Sequence, residues 1–340
     1  MAHCRAAGES IPKFVQKEFE EFLRCGILAH GFARVYCEEC HFDMPVPLSC
    51  KGRAFCGSCM ARRMSETAAH IVDHVIPCIP TRQWVLSVPK PLRYLAHPGA
   101  ITFVQRFGGA GNLNVHLHCC FSDGIFIEQD SGEVRFCRIE EPTIADILEI
   151  TEKVFRRVHR WLEKRMDEYE HDALAENNSL LAACYQGSIK QMAALGPRAG
   201  LPFLRVVSEL PGSTDNAREA RTVAGFNLHV SRAIEDDDRA ALERQLRYMG
   251  RPPFAEERLS KTKDGKIVIR FKRKWSDGTE AIIMEPLEFM QTLAALEPVS
   301  KPNSALFRVQ ICCISFCFSC KYARYSRRKS KRTTTNCPSK

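Results

Sequence analysis

The sequence predicts an α+β protein in which a small cysteine-rich module precedes an antiparallel sheet with flanking helices. Short segments of alternating apolar and polar residues, joined by Gly-rich and Asp-Gly turns, are typical of antiparallel strands. Longer segments with apolar residues at helical spacing lie on both sides of them. Two closely spaced cysteine pairs mark the first 60 residues. A chain of 340 residues is long enough for two domains.

Composition favours a cytoplasmic protein with no membrane partner. The N-terminus lacks the apolar segment of a secretory signal, and no apolar segment approaches the length of a membrane span. The net charge of +9 is uninformative about the body of the chain, because residues 301–340 contain ten Lys and Arg and no acidic residue. The remaining 39 basic and 40 acidic residues nearly balance. We expect residues 298–340 to form a basic, disordered tail.

Helical periodicity predicts the flanking helices. The clearest begins behind Pro142 with Thr143 as N-cap and carries a stripe of apolar residues along its length. A second ends at Gly250, before a Pro-Pro pair that cannot continue a helix. The five predicted helices span residues 13–25, 60–76, 143–171, 238–250 and 286–296.

Alternation predicts the strands. Three consecutive strands are expected over residues 82–88, 100–107 and 112–121. Two short strands flank the DSG turn, and a hairpin of KIVIRFKRKW and EAIIM flanks SDGT. Residues 172–215 are interpreted as mixed, with loops at GPRAG and PGST.

The cysteine pairs predict a structural zinc site. Cys37 and Cys40 form one C-x2-C pair, Cys56 and Cys59 form another, and fifteen residues separate them. Four thiolates on two tight knuckles suit tetrahedral zinc and leave no open position for chemistry. Two other cysteines, Cys25 and Cys50, are close enough in sequence that either is an alternative ligand.

The stretch NLNVHLHCCF predicts a strand with an unusual polar face. Side chains alternate across a strand, so His116 and His118 share one face with Asn112 and Asn114, and apolar residues fill the other. The pattern is that of a half-buried strand. Two imidazoles on one face suit a divalent cation, and Gln105 on the preceding strand is placed to add an amide oxygen.

Tyr248 lies off the apolar stripe of its predicted helix, which is formed by Leu242, Leu246 and Met249. A tyrosine in that position faces solvent or a cleft. A cation held by imidazoles and an amide oxygen polarises a phosphodiester, and a tyrosine hydroxyl then attacks phosphorus. The product is a covalent phosphotyrosine and a free 3′-OH.

Several segments resemble one family of proteins. They are FLRCGILAHGFARVYCEEC, SCKGRAFCGSCMARRM, RQWVLSVPKPLRY, GAITFVQRFG with NLNVHLH, RYMGRPPFAEERLS and KWSDGTEAIIMEPLEFMQTLAAL. Together they are similar to the rolling-circle transposases of bacterial insertion sequences, the ISCR-type group of the HUH single-strand nuclease superfamily. The resemblance covers most of residues 20–297.

This resemblance implies a zinc-binding domain over residues 1–78, a DNA-recognition candidate, and an antiparallel-sheet HUH tyrosine nuclease domain over residues 79–297. It implies Mg²⁺ or Mn²⁺ as the catalytic ion and single-stranded DNA at the element terminus as the partner. His116 and His118 match the His-hydrophobe-His pair, and Tyr248 matches the nucleophile. Gln105 as third ligand is an inference from its position.

The sequence also departs from the family pattern. Arg244 stands where some members carry a second tyrosine, and only LAHP (95–98) stands where a helical stretch is expected. The chain after Glu297 differs from the family's continuation, so this copy is internally shortened with an aberrant C-terminus. The alternative hypothesis is therefore an inactive remnant that acts only as a zinc-dependent DNA-binding protein. A metal hydrolase of small molecules is a weaker third interpretation.

Overall fold

The computed structural model describes residues 12–52, 56–87, 101–128, 131–163, 178–207 and 222–297. Its helices are α1 (Lys13–Arg24), α2 (Gly57–His70), α3 (Ile144–Glu163), α4 (Ser179–Lys190), α5 (Arg239–Met249) and α6 (Pro286–Leu296). Its strands are β1 (Phe32–Tyr36), β2 (Asp43–Pro47), β3 (Thr81–Ser87), β4 (Ile101–Phe107), β5 (Leu113–Ser122), β6 (Gly124–Glu128), β7 (Val134–Arg138), β8 (Leu204–Val207), β9 (Thr222–Val223), β10 (Phe226–Ile234), β11 (Leu259–Lys261), β12 (Ile267–Arg270) and β13 (Thr279–Met284). The predicted tail and the LAHP segment lie outside these residues.

A five-stranded sheet in the order β4-β5-β3-β10-β9 forms the centre of the protein, and all its pairings are antiparallel. The predicted mixture of helices and antiparallel strands is confirmed. The histidine strand β5 lies between β3 and β4, which pairs Gln105 with His116. The β4–β5 register shifts directly after Gln105, and such irregularities redirect side chains.

The two faces of β5 pack against different helices. Leu113, Val115, Leu117 and Cys119 lie in the main core, which includes residues of α1, α3, α4 and α6. The opposite face packs at Cys120 against α2 and α5. The expectation of a half-buried strand was therefore wrong around His118, which is only 2% exposed. The cause is tertiary, because α5 packs on this face: its apolar stripe contacts Cys120, and its Tyr248 meets the ring of His118.

A second sheet, in the order β11-β12-β13-β8, adds to the main core through Ile269, Ile282 and Met284. Its edge strand β8 and the helix α4 lie in the region that sequence patterns did not resolve. Helix α4 begins at Asn178, whose side chain accepts a hydrogen bond from the Leu181 N–H. Apolar and small residues are buried around most of α4, so it lacks the amphipathic stripe by which a surface helix is predicted.

The N-terminal module is attached to the rest of the protein through α1, which buries Val15 and Phe19 in the main core. After α1, strands β1 and β2 of this module form an antiparallel hairpin. The C-terminal end of α2 continues into one more helical turn, Ile71–Val75, and this continuation contacts α5. Ile71, Val72 and Ile76 pack there with Leu242 and Leu246. Among the described residues, no helix is both long and apolar enough to cross a membrane.

Candidate metal centres

Four cysteines form a compact cluster that could hold a metal ion. The Sγ atoms of Cys25, Cys50, Cys56 and Cys59 all lie within 4.8 Å of one another. Cys59 Sγ lies 3.6 Å from the Sγ atoms of Cys25 and Cys50, and Cys56 Sγ lies 3.7 Å from Cys25 Sγ. Zinc–sulfur bonds of about 2.3 Å in a tetrahedron require sulfur atoms about 3.8 Å apart. The cluster therefore has the dimensions of a four-thiolate zinc site.

Local structure explains how these cysteines meet. Cys25 ends α1, Cys50 follows β2, and Cys56 and Cys59 lie at the N-terminus of α2, where the helix dipole favours thiolates. Backbone N–H groups of Cys50 and Gly52 donate to Cys25 Sγ and Cys50 Sγ. Burial raises the pKa of the Cys59 thiol, but hydrogen bonds from the other three thiols outweigh burial and bring this pKa to about 7.

The structure does not place Cys37 and Cys40 in this cluster. Both are exposed, at the turn between β1 and β2. Hydrogen bonds from the backbone N–H of Cys40, the thiol of Cys40 and the backbone N–H of Glu39 lower the pKa of the Cys37 thiol. Within the described residues, Cys37 and Cys40 belong to no group of three or more metal-ligating side chains. The sequence interpretation that paired Cys37 and Cys40 with Cys56 and Cys59 is therefore corrected. Cys25 and Cys50, the alternative ligands, both belong to the cluster. Cys37 and Cys40 do not, because they lie on the exposed turn of the β1–β2 hairpin.

The two predicted histidines lie side by side on β5. Their ring centroids are 4.9 Å apart, with the planes inclined at 60°. Nδ1 of His116 is 2.9 Å from the carbonyl oxygen of Asn114, which fixes its ring. Nε2 of His118 is buried and has no hydrogen-bond partner in the described part of the chain. Burial, with smaller effects from His116 and Arg251, lowers the pKa of His118 to about 3 and keeps this imidazole neutral.

Gln105 stands next to the histidine pair and is held by the tyrosine helix. Its Nε2 donates to the carbonyl oxygens of Tyr248 and Met249, at 3.0 and 2.7 Å. These carbonyls belong to the last turn of α5, where no intrahelical donor remains. Oε1 of Gln105 is buried and, among the residues described, has no partner. Oε1 of Gln105 and Nε2 of His118 are thus both available to a ligand beside His116.

Two further glutamines complete the centre, and sequence reasoning missed both. The amide of Gln83 on β3 contacts Nδ1 of His118 at 2.5 Å, and the amide of Gln245 on α5 donates to Oε1 of Gln83. Gln83 is one residue from Trp84, whose side chain enters the main core, so alternation places Gln83 on the histidine face. That alternation was available from the sequence, but the pairing of β3 with β5 was not.

Tyr248 lies where its helical position predicted, off the buried stripe of Leu242, Leu246 and Met249. Its side chain is 44% exposed. One edge of the site is therefore open to solvent. The ring plane of Tyr248 is inclined at 83° to that of His118, and the ring centroids are 5.7 Å apart. The structure brings together all four residues proposed for this site, His116, His118, Gln105 and Tyr248.

The two centres are connected through α2. Cys56 and Cys59 lie at its N-terminus, and its C-terminal continuation packs against α5. Arg239, the first residue of α5, donates to the carbonyl oxygens of Val72, Ile76 and Pro77. The cysteine cluster therefore supports the helix that positions Tyr248.

Two models of protein families match this chain. Residues 1–88 match the model of a transposase zinc-binding domain of the IS91 type, and residues 99–309 match the model Y2_Tnp, described as putative transposase. The class of protein defined by these matches and by the cysteine cluster is a zinc-binding transposase. Because the second match covers more than half of the chain, the protein belongs to this putative transposase family. No curated protein and no solved structure matches it.

Membership has two direct consequences. A transposase family implies DNA as the binding partner. The zinc-binding domain match and the four-cysteine cluster support a structural zinc ion.

Proposed function

We propose that this transposase nicks and rejoins single-stranded DNA at an element terminus, by rolling-circle transposition of the HUH, ISCR-type group. The observation that carries the proposal is the convergence of Tyr248 on His118 beside two buried, unpartnered ligand atoms. Cys25, Cys50, Cys56 and Cys59 hold zinc in a domain over residues 1–78. The nuclease domain is assigned to residues 79–297, and the basic residues 298–340 follow it in sequence.

We assign a Mg²⁺ or Mn²⁺ site to His116, His118 and Gln105. A ring nitrogen and an amide oxygen without partners fit such an ion, and a neutral imidazole is the form that binds metal. When bound, the ion supplies positive charge to a non-bridging oxygen of the scissile phosphate. In the structure, Nε2 of Gln83 faces Nδ1 of His118 and Oε1 of Gln83 accepts from Gln245. Exchanging oxygen and nitrogen in both amides lets Gln83 accept from Nδ1–H of His118 and leaves Nε2 of His118 as the ligand atom.

Tyr248 supplies the nucleophile. Its hydroxyl loses a proton to water, and its oxygen forms a bond to phosphorus while the bond from phosphorus to the 3′-oxygen breaks. The leaving oxygen takes a proton and becomes a 3′-OH. The phosphodiester is conserved in the tyrosine adduct, so attack by another 3′-OH rejoins the strand and releases Tyr248. Gln105 holds the end of α5 during these steps through its hydrogen bonds to the Tyr248 and Met249 carbonyls.

Adduct formation tests the proposal. Full-length protein is incubated with a single-stranded oligonucleotide from the element terminus in Mg²⁺, Mn²⁺ or EDTA, and the covalent complex is separated under denaturing conditions. We expect a metal-dependent adduct that Tyr248→Phe abolishes. Tyr36→Phe is the matched control, because Tyr36 is a similarly exposed tyrosine on β1.

The alternative, an inactive remnant with a shortened middle and an altered C-terminus, predicts the opposite result. DNA binding in a gel shift would then survive His116→Ala and Tyr248→Phe, and no metal would produce an adduct. That combination would overturn the nuclease proposal and leave a zinc-dependent DNA-binding protein.

A further inference from the structure

Arg251 occupies an unusual position directly after the tyrosine helix. Helix α5 ends at Met249, Gly250 caps it, and Arg251 turns back over the ring of Tyr248. Its guanidinium carbon lies 4.3 Å from the centroid of that ring and 5.8 Å from the centroid of Phe107 on β4. The electron-rich face of an aromatic ring attracts a cation, which favours this position of the side chain.

The guanidinium of Arg251 lacks the polar partners that nearby arginines have. Its Nε atom is buried without a hydrogen-bond partner, and the described part of the chain offers Arg251 no hydrogen bond or ion pair. Arg239, at the other end of α5, donates to three carbonyl oxygens. Arg258, in the next segment, donates to the carbonyl oxygens of Gly109 and Arg270. The terminal N–H groups and the full charge of Arg251 are thus left for a ligand.

The electrostatic surroundings indicate the sign of that ligand. The guanidinium carries a positive charge beside the ring of Tyr248, and no carboxylate of the described residues forms an ion pair with it. A planar guanidinium binds phosphate oxygens with two parallel hydrogen bonds, and the bound group is then also close to the tyrosine. An anionic oxygen ligand satisfies both the unmade hydrogen bonds and the unbalanced charge.

We propose that Arg251 is a catalytic residue that binds the phosphate group of single-stranded DNA next to Tyr248, an inference that rests on the proposed function for its position in the reaction. Arg251 donates to non-bridging oxygens before the attack and to the same oxygens in the tyrosine adduct. No bond to Arg251 forms or breaks, and it keeps its proton throughout, since a guanidinium is not deprotonated in proteins. Because the guanidinium of Arg251 stacks on the ring of Tyr248, a phosphate bound to Arg251 lies close to the phenol oxygen.

The test compares Arg251→Gln and Arg251→Lys with wild type in the full-length protein. The matched control is Arg156→Gln, because Arg156 is an exposed arginine on α3 that pairs with Glu152. Binding of a short, fluorescently labelled single strand is measured by anisotropy at several salt concentrations without divalent metal. Adduct formation is measured separately with Mn²⁺, and thermal unfolding verifies that each variant is folded.

For Arg251→Gln we expect about tenfold weaker binding and a salt slope smaller by about 0.7, the value for one lost contact to a single strand. Adduct formation falls by about a hundredfold, as for the loss of one donor to a charged transition state. Arg251→Lys keeps the salt slope but binds at least about threefold more weakly, because a lysine lacks the two-pronged geometry. Arg156→Gln behaves as wild type.

The two proposals fail in different ways. If wild type forms no adduct while binding still depends on Arg251, the nuclease proposal fails and the phosphate site stands. If Arg251→Gln binds DNA with the affinity and salt slope of wild type, the phosphate site is overturned whatever the adduct assay shows. Should Arg251→Gln not fold, Arg251→Lys decides the question, and wild-type affinity in that variant overturns the inference.

Discussion

The ring of Tyr248 lies edge-on to the ring of His118, with ring centroids 5.7 Å apart. One residue belongs to the last turn of α5 and the other to the middle of β5. Gln105 fixes this relationship, because its amide donates to the carbonyl oxygen of Tyr248 while its backbone pairs with His116. The tyrosine helix is therefore tied to the histidine strand at the point where the proposed chemistry takes place.

Replacing Gln83 by leucine should weaken the metal site without changing its ligands. Gln83 contacts Nδ1 of His118 and orients the ring for a cation at Nε2. Loss of such a partner typically reduces metal affinity 10- to 100-fold, so we expect a loss of about this size for Mn²⁺ in calorimetric titrations.

Gln245→Leu is the control for Gln83, since Gln245 contacts Gln83 rather than the ring. Its effect on Mn²⁺ affinity should be clearly smaller. Equal Mn²⁺ affinity in Gln83→Leu and wild type would show that Gln83 does not orient His118.

Replacing Gln105 by methionine should destabilise the protein as well as the metal site. Two carbonyl oxygens at the end of α5 lose their donor, which costs about 1–3 kcal/mol in the free energy of unfolding. Urea denaturation measures this loss, and the rise in melting temperature with Mn²⁺ should disappear. Gln16→Met, at a half-buried glutamine of α1 whose side-chain hydrogen bond to Glu20 lies at the surface, should leave both quantities unchanged. If Mn²⁺ raised the melting temperature of Gln105→Met as much as that of wild type, Gln105 would not be a metal ligand.

Serine substitutions should separate the cysteines that hold zinc from those that do not. Cys25→Ser removes one of four clustered thiols, so we expect loss of bound zinc and of the cooperative unfolding transition. Cys37→Ser should keep the zinc of this cluster, because Cys37 lies on the exposed turn of the hairpin. Metal content per chain, measured by elemental analysis, distinguishes them. Zinc loss in Cys37→Ser equal to that in Cys25→Ser would restore the ligand set inferred from spacing.

Glu297→Gln should stabilise the protein at high pH. Burial raises the pKa of Glu297 to about 7, repulsion from Glu18 adds to this, and Arg106 opposes it. The Glu297 carboxyl loses its proton near pH 4.5 in the unfolded chain and near pH 7 in the folded protein. The wild-type protein therefore loses stability as pH rises between these two values. The glutamine variant has no such loss.

Melting temperatures of Glu297→Gln and wild type, measured at pH 5 and at pH 8, provide the test. The melting temperature of Glu297→Gln should exceed that of wild type at pH 8 and differ little from it at pH 5. Glu257→Gln, at an exposed carboxylate, should show no such difference between the two pH values. A constant offset for Glu297→Gln at both pH values would contradict a raised pKa.

Periodicity predicted most of the elements that carry the site. The bounds of β5 and α5 fall within a few residues of the predicted segments, and Tyr248 lies off the apolar stripe as expected. These features depend on local spacing, which a single sequence displays directly. The helix α4 escaped prediction because burial around most of its circumference removes the amphipathic contrast.

Spacing alone placed Cys56 and Cys59 in the cluster but gave them Cys37 and Cys40 as partners instead of Cys25 and Cys50. C-x2-C motifs are visible in a sequence, whereas the approach of Cys25 and Cys50 depends on how α1 and the β1–β2 hairpin fold onto α2. The same holds for Gln83, whose contact with His118 exists only because β3 pairs with β5.

The sequence by itself identified four of the residues in the chemistry that we propose, since the two histidines, the glutamine and the tyrosine are recognised by side-chain type and position in their elements. Only the tertiary structure decided which thiols meet, which amide orients His118, and that Arg251 stacks on Tyr248 without a polar partner in the described chain. The physical reason is that alternation and helical periodicity fix the direction of a side chain within its own strand or helix. Contacts between elements follow from strand register and core packing, which no local pattern specifies.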